Sequence, residues 1–135
     1  MGLSSMKKYE NFCKALGNLK IGTQLEPPYT IVEQTGIVGL FEICFEQSWK
    51  LMKELLELHG RHEASSGSPR QIIKIAFQSG MITDEDAWLE LLEVRNLLAH
   101  TYSDEQTLDS IKKIKADFVS VFEKLKTEID DNWLI

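Results

Sequence analysis

Between Ile37 and Leu56 the chain sets Phe41, Cys44, Phe45, Trp49, Met52 and Leu55 into one broad apolar band at helical spacing. The width of that band constrains the fold more than any other feature. A helix lying on a surface needs an apolar stripe of only about 100°. A broader band needs neighbours on two sides, as in the middle of a bundle or at a seam between two copies. The predicted helix runs over about Ile31–His59, and Gly36 and Gly39 near its start either leave room for close approach of a neighbour or fray that end.

The flanking segments have the same period. Tyr9, Phe12, Cys13, Leu16, Leu19 and Ile21 predict a first helix over about Lys7–Leu25, ended by Pro27-Pro28, because proline lacks an amide and clashes with a helical predecessor. Gly60–Ser68 has loop composition. Ser68 then reads as an N-cap, with Pro69 at the first position of a third helix that runs to about Ser79, and Gly80 as its C-terminal stop. Thr83 opens a fourth helix whose first turn carries Asp84, Glu85 and Asp86, which suit the positive end of the helix dipole, and which ends near Ala99 or His100. Ser103 and Gln106 form a capping-box pattern ahead of a last helix over about Asp104–Asp130. No segment alternates with the period of a strand. The expected fold is all-α: an up-and-down bundle of about five helices with a four-helix core, formed by one domain over residues 1–135.

Composition narrows the class. An apolar fraction of 43% supplies a core without disulfides or metal, and argues against disorder. Net charge of -6 opposes coating by nucleic acid, whose affinity comes largely from phosphate neutralisation, so any RNA contact has to come from a local positive site or a surface built by two chains. An acidic face also suits a basic partner protein. Cys13 and Cys44 form no C-x-x-C pair and read as reduced thiols. There is no apolar leader and no run long enough to span a membrane, so a cytoplasmic protein is expected. No phosphate loop, H-E-x-x-H or nucleophile elbow occurs, and His59 and His62 straddle Gly60 without further ligands in order, so they read as solvated loop histidines. No metal and no cofactor is expected.

One segment stands out. In VRNLLAHTYSDEQ, Arg95, Asn96, His100 and Tyr102 gather polar and aromatic groups at the end of an apolar helix. At about 100° per residue, Asn96 and His100 lie within about 40° of each other, whereas Arg95 and His100 are about 140° apart. A site using both therefore lies at the helix end, or draws on two helices or two subunits. A cation there meets the negative end of the dipole, which makes His100 a plausible proton donor or acceptor. The structural alternative is that Arg95 pairs with Glu42 or Glu46, which share one face of the second helix at i and i+4, while His100 caps carbonyls.

The string LLEVRNLLAHTY resembles the HEPN signature, an arginine and a polar residue followed after three residues by histidine, extended here by x-Y. FEICFEQSWK, GSPRQIIKIAFQSGMI and AWLELLEVRN resemble the nucleotidyltransferase substrate-binding proteins, small helical partners of minimal nucleotidyltransferases, and the resemblance runs from about Tyr9 to Leu125. It implies a homodimer with the motifs of two subunits facing one cleft. It also implies a metal-independent ribonuclease that acts as a toxin, with the nucleotidyltransferase as antitoxin. Under that reading Arg95 binds the scissile phosphate, His100 is general acid or base, Asn96 orients one of them, and Glu42 and Glu46 are supporting acids. Tyr102 would receive AMP from the partner. The alternative is a non-catalytic subunit that binds substrate or nucleotide for the partner. Two positions depart from the family pattern: Val94 stands where an acid often precedes the arginine, and Leu40 where a basic residue often precedes F-E.

Overall fold

The computed structural model describes residues 2–100 and 103–134. Its elements are α1 (Leu3–Gly22), α2 (Ile31–Leu58), a 3-10 turn (His62–Ser66), α3 (Pro69–Gln78), α4 (Glu85–Leu98), α5 (Asp104–Lys113), a π turn (Ile114–Phe118) and α6 (Val119–Asn132). Lys113, Ile114 and Val119 keep right-handed helical dihedrals, so α5, the π turn and α6 form one rod. The described residues thus build five helical rods and contain no strand.

The ends of the rods are chemically fixed. Thr30, Ser68 and Ser103 each form a reciprocal capping box, with Glu33, Gln71 and Gln106. At Gly60 and Gly80 φ is +90° and +83°, the left-handed region that glycine enters without a Cβ penalty. Behind them Arg61 N donates to Leu56 O (2.9 Å) and Met81 N to Ala76 O (2.9 Å), the Schellman arrangement that satisfies the last carbonyls of α2 and α3.

Three boundaries differ from the sequence expectation. α1 starts at Leu3, where Ser5 is buried and its hydroxyl donates to Glu54 Oε1 (3.1 Å). It stops at Gly22 rather than near the prolines, because the Thr23 hydroxyl and the Gln24 amide both turn back onto the Lys20 carbonyl (2.8 and 3.3 Å). Ile21, although inside α1, is exposed and does not join its buried stripe. The N-cap of α4 is Asp84, whose carboxylate accepts from Ala87 N (3.0 Å), so Thr83 lies outside the helix.

α2 is the central helix, packed against α1, α3, α4 and α5. Phe41 stacks on Phe118 (ring centroids 5.7 Å apart), and Phe122 meets both Phe12 (6.5 Å) and Trp88 (5.7 Å). Phe45 joins Trp88 at 6.4 Å. This aromatic chain ties α1, α2, α4 and the last rod together, and each such pair adds about 0.5–1.5 kcal/mol beyond its area burial. The close approach to α2 falls at Gly22, not at Gly36 or Gly39. A Cβ on Gly22 would stand 2.9 Å from Leu40 Cδ1, whereas Gly36 and Gly39 have nothing within 4 Å of that position. Leu40 and buried Val94, the two departures from the family pattern, are therefore packing residues. His59 is not a free loop group: its ring packs edge-on against Trp133, with centroids 4.6 Å apart.

Candidate functional site

α4 delivers its C-terminal turn to the flank of α2, because Leu91, Leu92, Val94 and Leu98 are buried and fix the helix's rotation. That rotation leaves Arg95 half-buried, and Asn96 and His100 exposed. Arg95 Nη2 donates to Glu46 Oε2 (3.2 Å), Nη1 donates to Asn96 Oδ1 (3.1 Å), and the guanidinium carbon lies 5.9 Å from the centroid of the Phe45 ring. The planar group is therefore held at two corners and along one face. Among the described residues two of its five N–H groups are committed.

Glu46 is more than a counter-ion. Its carboxylate also accepts from Trp49 Nε1 (3.1 Å) and lies 3.4 Å from Lys50 Nζ. The sequence reading missed Trp49, Lys50 and the Phe45 face, although the i+3 and i+4 offsets from Glu46 carried the signal. Glu42 makes no ion pair with Arg95 among the described residues. Burial raises its pKa above the ordinary carboxylate value, and the charge of Arg95 offsets part of that rise.

The sign of this shift gives an expected outcome. A carboxyl group whose pKa is raised on folding binds its proton more tightly folded than unfolded, so its charged form costs stability above the folded pKa. Glu42→Gln should therefore give a small rise in Tm at neutral pH that vanishes as pH falls below about 4, where the wild-type group is protonated in both states. Thermal melts across that range check this; a lower Tm at pH 7 would mean that the Glu42 charge stabilises the folded state through Arg95.

His100 lies just past the C-cap Ala99, at the carbonyl end of α4, and its backbone N–H donates to Leu97 O (3.2 Å). Among the described residues its imidazole makes no hydrogen bond and faces solvent. The structure thus brings Arg95, Asn96 and Glu46 together, with Glu42 beside them and His100 exposed at the end of the same helix. Tyr102 lies outside the described residues. No group of three His, Cys, Asp or Glu among the described residues is placed to hold a metal ion, and none of their helices is long and apolar enough to cross a membrane.

An all-helical bundle whose fourth helix leads into R-N-x-x-x-H, with the arginine half-buried, fits the HEPN pattern. Residues 7–131 match the family described as nucleotidyltransferase substrate binding protein like, and the chain belongs to that family. It is similar to a protein of Haemophilus influenzae named a probable ribonuclease HepT, with 31% identity over 84 residues; the match spans 58% of this chain and 58% of that relative's length. A crystal structure of a Thermus thermophilus protein superposes with a TM-score of 0.75 at 26% identity, covering 87% of this chain and 98% of the other. A second structure, from Haemophilus influenzae and reported to reveal the fold of a substrate binding domain of a nucleotidyltransferase, superposes at 0.73 with 23% identity. It covers 90% of this chain and 98% of that one, and shows the shared fold.

Proposed function

We propose that this protein is the ribonuclease subunit of a pair formed with a minimal nucleotidyltransferase, and that it cuts RNA in a groove between two copies of the chain. The observation that carries the reading is the state of Arg95: fixed by Glu46, Asn96 and the Phe45 ring, yet with about a third of its side chain open to solvent. A guanidinium so pre-organised suits the charge that develops on a phosphate in flight. His100 is the proton-transfer group, and Asn96 aligns the arginine through its carbonyl oxygen. The nucleophile is the RNA's own 2′-hydroxyl: its oxygen bonds to phosphorus, its proton leaves to a base, and the departing 5′-oxygen takes a proton. The products are a 2′,3′-cyclic phosphate and a 5′-hydroxyl end. Glu46 supports the arginine, and Glu42 tunes the local charge.

The resemblance to a probable ribonuclease supports this activity. A homodimer is supported by the free face of α2, where Ile31, Val32 and Ile43 are exposed and Gly36 leaves an open hollow beside them. Tyr102, two residues past His100, is the position where transfer of AMP by the partner would place a bulky anion beside the groove and switch it off. The family's description favours a second reading, a non-catalytic subunit that binds substrate or nucleotide for its partner.

The deciding experiment is incubation of purified chain with mixed RNA in the presence of a chelator. The expected result is a sedimenting dimer that yields cyclic phosphate ends, and loses this activity when partner and ATP add one adenylyl mass to Tyr102. Intact RNA, together with nucleotide binding by calorimetry, would favour the second reading.

A further inference from the structure

At the opposite end of α4 from Arg95, the start of the helix faces the last rod across a trench, and the trench has a pocket in its floor. The pocket is a cavity of about 160 Å³ lined by apolar Met81, Ile82, Trp88, Val121 and Leu125 together with Thr83, Asp84, Lys124 and Glu128. An apolar cavity of about 150 Å³ accommodates benzene, so this one has room for a single aliphatic or aromatic side chain. Two shallow grooves adjoin it, sharing Lys124 with it. One extends between Asp86 and Glu90 of α4 and Asp117 of the π turn; the other follows α6 to Asp131.

Charge identifies the occupant. Asp84, Asp86, Glu90, Asp117, Glu123, Glu128 and Asp131 line the trench and its pocket against one cation, Lys124. That excess equals the net charge of the whole chain, -6, so the remainder of the sequence is balanced and the trench holds the imbalance. Glu123 is paired with Lys20 (3.7 Å), and Glu128 accepts from Asn132 and Trp133. Asp86, Glu90, Asp117 and Asp131 enter none of the ion pairs among the described residues. A row of carboxylates without cations attracts a basic partner. The same field repels the phosphates of RNA. The π turn contributes Ala116, Asp117 and Phe118 to one wall, and such turns recur at functional sites.

We propose that this trench docks a basic segment of a partner protein, anchored by one apolar side chain in the pocket and flanked by lysine or arginine on both sides. From Asp117 to Asp131 the rod rises about 21 Å, which spans about six residues of extended peptide. The inference stands on this surface alone and does not depend on the activity proposed for Arg95 and His100.

Fluorescence anisotropy tests it with a short labelled peptide carrying one leucine between two runs of lysine, and a twin with alanine in place of leucine. The leucine peptide should bind about tenfold or more tightly than its twin, since burying one such side chain is worth that much, and binding should weaken as salt is raised. The triple variant Glu90→Lys, Asp117→Lys, Asp131→Lys should lose at least about tenfold in affinity, and Val121→Asp should abolish the preference for leucine. Amide shifts in the wild-type protein should centre on Trp88 and Lys124, which decides the matter even if the triple variant does not fold. No binding at low salt, equal binding of the two peptides, or shifts centred elsewhere would overturn the proposal.

Discussion

Arg95→Ala and His100→Ala should each lower RNA cleavage by about 100- to 1,000-fold while the bundle stays folded. Loss of a pre-organised donor at a developing anion costs about that much, and removal of a general acid or base costs a similar factor. Arg95→Lys should not restore the rate, because an ammonium cannot present the planar fork that Glu46 and Asn96 hold in register. The structural cost should be small by comparison. The Arg95–Glu46 pair is about a third exposed on each side chain, and exposed pairs contribute about 0–1 kcal/mol. Glu46 also keeps Trp49 and Lys50 as partners after the arginine is gone. Initial rates with a labelled RNA, beside far-UV melts, check both halves; a variant that melts early yet cleaves normally would make Arg95 a structural residue.

Trp88→Ala should be the most damaging single change to stability. Trp88 is 2% exposed and stands between Phe45 and Phe122, so it links α4 to the central helix and to the last rod at once. Truncating a buried aromatic costs about 3–5 kcal/mol, through lost transfer energy and the cavity left behind. For a domain of this size that corresponds to a fall in Tm of about 10 °C or more. Denaturant titration measures the effect. A cost under about 1 kcal/mol would mean that Phe45 and Phe122 repack without it.

The five rods were legible because their apolar residues recur at three and four positions, and because Ser68, Gly80 and Ser103 mark ends by local chemistry that needs no tertiary partner. Boundaries set by side chains turning back on the chain were harder to see. Thr23 and Gln24 end α1 through the Lys20 carbonyl, and nothing in the spacing of apolar residues announces that. The π turn was invisible for a related reason: one wide turn shifts the phase of the last rod without interrupting its apolar pattern.

At the candidate site the sequence placed Arg95 opposite Glu42 or Glu46 and left the choice open. The structure pairs Arg95 with Glu46, which also gathers donors from Trp49 and Lys50. The acidic trench could not be read from the sequence, because Asp86 and Glu90 on α4 and Asp117 and Asp131 on the last rod come together only when those elements pack.

Whether Arg95 and His100 attend one phosphate can be seen by NMR, by following the Arg95 Nε–H and His100 ring resonances during titration with an RNA oligonucleotide. Its 2′-hydroxyls are methylated, so that it binds but cannot react. Both signals should shift saturably with a single dissociation constant. An imidazole signal that stays still while the guanidinium responds, or two signals that both ignore the RNA, would refute the shared site.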